Sequence, residues 1–294
     1  MAVFRSFLFA PGNHPRRVEK ALTLDADVVI LDLEDACPVS EKIATRAVVV
    51  EALSKPRAGL GYVRVNPITT EFGYGDLISV VRAGVDGIVV PKIEAADELR
   101  TVEWLVSQIE REQGLPTGGI DIMPIIETAK GVSEVGSIAR SGTRVRRLAF
   151  GAGDYTLDMN LAWERDELEF MPVRSAIAVA SRAANLEAPI DTVWVDMQDK
   201  EGFALSAARV RRLGFQGKLC IHPDQVTAAN AAFTPTDAQV VRARAVVAAF
   251  EKAEAEGSAS ILLDGQFIDY PFVYQAQRVL ASMERITARR AGPS

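Results

Sequence analysis

"IMPIIETAKG", residues 122–131, runs through five positions that are apolar around Pro124 and then stops on a carboxylate, Glu127. A short apolar run bounded by a turn reads as a strand covered on both faces, as in a parallel sheet packed between helices. A charge at the end of such a strand must be paired, hydrogen-bonded or bound to a metal.

The same pattern recurs on both sides of this stretch. "SFLFAP", "DVVILDLED", "GYVRVNP" and "GIVVPKI" precede it, and "VRRLAFGAGD", "DTVWVD" and "GKLCIHP" follow, each succeeded by an amphipathic helical segment. The run "GVSEVGSIARSG" reads as the helix after strand five, and "DAQVVRARAVVAAFEKAEAEG" as the helix after strand eight. Eight such units in about 250 residues predict a (β/α)8 TIM barrel, with an open doubly wound sheet as the alternative. Residues 1–235 are expected to form the barrel core, and 236–294 the last barrel helix and a C-terminal helical extension. Beyond residue 257 the sequence reads as a turn followed by one more helix.

Composition narrows the class of function. The 294 residues are 48% hydrophobic and 24% charged, the profile of an enzyme-sized globular protein. A net charge of −6 carries no nucleic-acid footprint, so an anionic substrate must be met by local Arg or Lys. The apolar run before Pro11 is too short for a signal sequence or a membrane span, and a cytoplasmic protein is expected. Cys37 and Cys220 lack metal-site spacing and read as reduced thiols.

A barrel carries its chemistry on the loops after the C-terminal ends of its strands. Strand two ends in Asp32, Glu34 and Asp35, strand three in Arg64 and Asn66, and strand four in Lys92. Strands five to eight end in Glu127, Asp154, Asp196 and His222. Any one of these could be a salt bridge closing the mouth, but together they converge on one site. Carboxylates on neighbouring strands five and six suit a hard cation, because Mg2+ takes one or two carboxylates and fills its shell with water and substrate oxygens. Zinc is disfavoured, since the only histidines, His14 and His222, are not spaced as ligands. His222 could serve as a base, but beside a proline at a strand end it reads more readily as a hydrogen-bonded structural group. No GxGxxG, GxxxxGK[ST] or GxSxG pattern is present.

Taken in order, "RSFLFAPGNHPRRVEKAL", "ADVVILDLEDACPVSEKIATR", "VRVN", "GVDGIVVPK", "PIIETAKGV", "FGAGD" and "GKLCIHPDQV" resemble the citrate lyase beta subunit-like group of the HpcH/HpaI aldolase superfamily. The resemblance runs from about residue 5 to 285 and includes "FTPTDAQVVRA" and "LDGQFIDYP". It implies a (β/α)8 barrel whose extension packs on a neighbouring subunit, in a homotrimer or hexamer. The implied activity is Mg2+-dependent cleavage or formation of a short 3-hydroxyacyl-CoA such as citryl-CoA, malyl-CoA or citramalyl-CoA. The resemblance makes Glu127 and Asp154 the metal ligands and Arg64 the clamp for the substrate carboxylate. Asp269 in "FIDYP" becomes the catalytic base, delivered from a neighbouring subunit, with Asp264 a turn residue. Glu34, Asp35 and Lys92 would orient the groups around the metal, and Pro11, Gly12, Arg17 and Lys20 would lie along the approach of coenzyme A. Arg17 and Lys20 read equally as helix-surface charges. Gly153 stands where many members carry Glu, so one acidic neighbour of Asp154 is lost. The same superfamily contains CoA-independent aldolases acting on free hydroxy-oxo acids to release pyruvate. A non-catalytic subunit that binds acyl-CoA within a lyase complex is the third reading.

Overall fold

Alternation with a period of two sorts each strand into residues facing the barrel interior and residues facing the helices. The computed structural model describes residues 4–290. Eight parallel strands close into a barrel: β1 (Ser6–Pro11), β2 (Val28–Asp32), β3 (Leu60–Arg64), β4 (Gly87–Val90), β5 (Asp121–Ile126), β6 (Ala149–Phe150), β7 (Ile190–Asp191) and β8 (Gly217–Cys220). Each strand pairs with the next in sequence, and β8 pairs back on β1. The expected barrel is the fold observed.

The five residues of β2 are all buried, as a strand covered on both faces requires. Val28 and Ile30 pack inside the barrel with Phe7, Tyr62, Met123 and Ile125, while Val29 and Leu31 are buried on the other face. Full burial of each such side chain is worth about 1.5–3 kcal/mol. The N-terminal end is closed by polar groups. Tyr62 donates to Asp121, which also pairs with Arg147, and the Arg147 guanidinium lies 3.8 Å from the centre of the Phe4 ring.

Four elements differ from expectation. The helix that directly follows β8 is Pro223–Phe233, so the helix Asp237–Ala255 expected in that place comes second. The segment "DTVWVD" joins the sheet only at its start, because β7 ends at Asp191 and the hydroxyl of Thr192 accepts a hydrogen bond from Ala152 N at 2.8 Å. The helix expected after β5 is two short pieces, Ala129–Ser133 and Val135–Ala139, broken in a segment carrying Gly131, Ser133, Gly136 and Ser137, all weak helix formers. Beyond residue 257 there is a hairpin rather than a simple turn, β9 (Ser260–Leu263) with β10 (Gln266–Asp269), before the final helix Tyr270–Arg290. Asp264 and Gly265 both have positive φ, 51° and 76°, the conformation a two-residue Asp-Gly hairpin turn demands.

The barrel unit spans Phe4–Ala231, and the residues from Ala232 onward form a second compact unit. That second unit holds helix Asp237–Ala255, the hairpin and the final helix around Val246, Phe250, Ile268 and Val273. Thr236 caps its first helix through Gln239 N at 3.2 Å. Among the described residues no helix is long and apolar enough to cross a membrane.

Candidate active site

Three side chains extend the inward phase of their strands past the apolar layer. Asp32 comes two residues after Ile30, Arg64 two after Tyr62 and Glu127 two after Ile125. The sheet register sets Asp32 level with both Pro11 and Arg64. Their charges therefore meet at one end of the barrel, above a dry interior.

Arg64 is held on several sides. Its Nε and Nη2 donate to the two oxygens of Asp32 at 2.7 and 2.6 Å, and its Cζ lies 4.8 Å from the centre of the Phe9 ring. Nη1 is 3.0 Å from Glu34 and 3.6 Å from Asp35. Burial works against the guanidinium charge, yet Asp32 and Glu34 outweigh it and raise the pKa further. Burial likewise pushes Asp32 upward, but the Arg64 charge and hydrogen bonds hold it below the usual carboxylate value.

Glu127 is buried, with 3% of its surface exposed. Its Oε1 accepts from Lys92 N at 2.8 Å, and its Oε2 accepts no hydrogen bond among the described residues. Burial raises its pKa to about 8, with Arg64 opposing and Asp154 adding to the rise. Lys92 links this carboxylate to the remaining acids. It adopts the left-handed conformation, φ 52°, uncommon for a residue with a side chain and frequent at functional sites. Its ammonium pairs closely with Glu34 and lies 3.2 Å from Asp154 and 3.8 Å from Asp35. Burial disfavours the Lys92 charge, and the Glu34 contact reverses this and raises the pKa. Glu34 itself is raised, chiefly by burial against the pull of Arg64 and Lys92.

The acids outnumber the cations here. Asp32, Glu34, Asp35, Glu127 and Asp154 face Arg64 and Lys92. All the open donors are oxygens, and no group of three or more His, Cys, Asp or Glu side chains among the described residues is set to hold a metal. Two carboxylates, one of them with an oxygen that accepts no hydrogen bond, suit an ion that completes its shell with water and substrate, as Mg2+ does. Glu127 and Asp154, both reached by Lys92, are the pair that could hold it.

Pro11, Arg17 and Lys20 line a cavity of about 510 Å3 together with Phe9, Ile221 and His222. Its floor is apolar and its rim basic. Gly12 is placed differently: a Cβ there would lie 2.7 Å from Val49 and 2.8 Å from Asp32 O, so the glycine lets β1 pack against β2. His222 Nδ1 accepts from Asp224 N at 3.2 Å, the structural bond expected of it. Asp196 accepts from Gln198 N at 2.9 Å and shapes its own loop. In the C-terminal unit Asp264 occupies the hairpin turn and pairs with Arg242. Asp269 ends β10, and its Oδ1 is buried without a hydrogen-bond partner.

Residues 5–223 match the HpcH/HpaI aldolase/citrate lyase family. The chain belongs to that family. It is 38% identical over 278 residues to the citrate lyase subunit beta of Leuconostoc mesenteroides subsp. cremoris, covering 94% of this chain and 92% of the relative. It is 34% identical over 302 residues to the L-malyl-CoA/beta-methylmalyl-CoA lyase of Rhodobacter capsulatus, covering 95% and 94% of the two chains. Its fold matches, with a TM-score of 0.78 and 27% identity, that of Mycobacterium tuberculosis CitE in complex with magnesium, acetoacetate and coenzyme A, covering 96% of this chain and 99% of that one.

Two residues of this HpcH/HpaI mouth escape a reading of the sequence. Lys42 lies in a helical run where a lysine reads as surface, yet it is buried and donates to Leu33 O, Glu34 O and Asn66 Oδ1 at 2.9, 2.6 and 2.8 Å. It clamps the turn that carries Glu34. Phe9 reads only as a strand residue, and nothing in its spacing signals the platform it offers to Arg64.

Proposed function

We propose that this chain is a Mg2+-dependent carbon–carbon lyase that splits, or forms, a short 3-hydroxyacyl-CoA, yielding acetyl-CoA and a 2-oxo acid. Citramalyl-CoA or malyl-CoA is the preferred substrate, ahead of citryl-CoA. The observation that carries the reading is the buried Glu127 carboxylate, with one oxygen open, beside Lys92 and within the field of Asp154 and Arg64. The magnesium that accompanies related proteins would be held here by Glu127 and Asp154 and would supply Lewis-acid stabilisation of developing negative charge. Arg64 receives the substrate carboxylate on the guanidinium edge that Asp32 leaves free. Arg17 and Lys20 meet coenzyme A phosphates at the basic rim of the 510 Å3 cavity, whose apolar floor takes the rest of the carrier.

Cleavage needs a base for the 3-hydroxyl proton. As that proton leaves, the oxygen becomes the carbonyl of the 2-oxo acid, the C2–C3 bond breaks and its electron pair passes to the thioester as an enolate, which is protonated to acetyl-CoA. Asp269 of a neighbouring copy is the proposed base, in a cytoplasmic trimer or hexamer. Its unpartnered Oδ1 supports the role, as do the exposed Leu262, Phe267, Phe272 and Tyr274 of the same unit, which suit a contact between subunits.

Turnover of citryl-, malyl- and citramalyl-CoA, followed by chromatography of acetyl-CoA with Mg2+ and with EDTA, tests the proposal. Metal-dependent acetyl-CoA release supports it. Pyruvate from a free hydroxy-oxo acid, with acetyl-CoA from none of the thioesters, assigns the CoA-independent aldolase reaction instead.

A further inference from the structure

We propose that Asp32 is a positioning residue that fixes Arg64 in the orientation needed to grip the substrate carboxylate. The inference rests on the reading of Arg64 as the carboxylate clamp. Asp32 does not itself touch substrate. It is 1% exposed, and each of its oxygens already accepts two hydrogen bonds. Oδ1 takes Glu34 N at 3.0 Å and Arg64 Nε at 2.7 Å, while Oδ2 takes Ala36 N at 3.0 Å and Arg64 Nη2 at 2.6 Å. A carboxylate has about four acceptor sites, so this one is full.

The consequence falls on Arg64. A guanidinium can offer a carboxylate its Nε/Nη2 edge or its Nη1/Nη2 edge, and Asp32 occupies the first. The Phe9 ring, 4.8 Å from Cζ, covers one face of the plane. What remains is the outer edge, with Nη1 beside Glu34 at 3.0 Å. A flexible arginine is thereby reduced to a single presentation before substrate arrives, which lowers the ordering cost of binding. By accepting from the backbone N–H groups of Glu34 and Ala36, Asp32 also sets the turn from which Glu34 reaches both Arg64 and Lys92. An asparagine at this position keeps the shape but replaces one acceptor with a donor, which in either orientation faces both a backbone N–H and the guanidinium.

Two measurements on the full-length chain test this. In crystal structures, Arg64 should lie over Phe9 in the wild type and leave it in Asp32→Asn. In steady-state kinetics with the thioester that the wild type cleaves best, Asp32→Asn should raise KM by about ten- to hundredfold, the value of a hydrogen bond to a charged group, with kcat little changed. In an Arg64→Lys background the same change should add nothing, because an ammonium cannot use both Asp32 oxygens. Arg64 staying over Phe9, a fall in kcat at unchanged KM, or full additivity with Arg64→Lys would each overturn the proposal. Should Asp32→Asn fail to fold, Asp32→Glu retains the charge while displacing the guanidinium, and the same KM rise is expected. If the wild type cleaves no thioester, the lyase reading fails separately and pyruvate affinity by calorimetry in Mg2+ replaces KM. Weaker pyruvate binding in the variant then supports Asp32, and equal binding or none to the wild type overturns it.

Discussion

Replacing Gly151 with alanine perturbs Glu127 without removing a charge. A Cβ at this position would lie 2.3 Å from Glu127 Oε2, 2.8 Å from Glu127 Cβ and 2.9 Å from Ile125 Cγ2, where ordinary contact begins at 3.4 Å. The carboxylate oxygen must retreat by about 1 Å, and turning the carboxylate alone does not relieve the contact with its own stem. Mg2+ demands ligand distances of about 2.0–2.1 Å in near-ideal octahedral geometry, so a shift of this size spoils the site. Disturbing a group that supports a ligand typically weakens metal affinity by about 10–100-fold, and overpacking adds about 1–3 kcal/mol of instability. Gly153 is the internal control, since a Cβ there meets nothing within 4 Å and alanine favours its helix by about 0.5–1 kcal/mol. Calorimetric titration with Mg2+ and thermal melts in EDTA read both effects. Gly151→Ala should lose metal affinity and some thermal stability, while Gly153→Ala loses neither. A folded Gly151→Ala protein that binds Mg2+ as tightly as the wild type would refute the assignment of Glu127 as a ligand.

Asp154→Asn should lower kcat/KM for acetyl-CoA release by about a thousandfold or more at saturating Mg2+, and an unimpaired variant would remove Asp154 from the chemistry. Mixed oligomers of Asp269→Ala and Glu127→Ala subunits should regain part of the lost activity, whereas verified mixing without rescue would show that Asp269 does not serve a neighbour's site. Asp191 supplies the pH prediction. Burial pushes it up, but the charges of Lys218 and Arg174 hold it below 3.8, so its stabilisation is complete above that unfolded-state value and is lost as pH falls beneath it. Asp191→Asn leaves the buried Arg174 and Lys218 short of countercharge and should cost about 3–5 kcal/mol at neutral pH, with a shallower loss of stability below about pH 4. Denaturant titrations across that range check both effects.

The barrel was legible because its strands are apolar runs and the acids that end them stand out. Glu127 announces itself by following "IMPII" in the same strand, and Asp32 and Arg64 by the same logic. Strand seven was less legible, since "DTVWVD" has strand composition but its backbone leaves the ladder at Asp191, where a tertiary hydrogen bond from Ala152 to Thr192 takes over. The hairpin β9–β10 is harder to read because "SILLDGQFID" follows the eight repeating units and passes for a turn, although its Asp-Gly pair is a strong hairpin signal. Lys42 was illegible in principle. Its burial depends on carbonyls of a turn eight and nine residues away, and helical periodicity carries no record of them.

The carboxylates at the mouth fall into two energetic kinds, and the difference separates scaffold from site. Asp32 has every acceptor filled and an opposed charge in bidentate contact, so its ionised form is favoured by the fold. Glu127 is as buried, yet one oxygen lacks a donor and burial lifts its pKa to about 8, so the folded chain disfavours its ionised form. The folded chain relieves that burden by binding either a proton or a cation, and Glu127→Gln separates the two. Glu127→Gln removes the buried charge and keeps an acceptor for Lys92 N. In EDTA it should therefore melt no lower than the wild type, or above it. Added Mg2+ should raise the melting temperature of the wild type and leave the variant where it was, because only the wild type gains a bound state. A variant that melts well below the wild type in EDTA would place Glu127 with Asp32, among the groups that hold the mouth together.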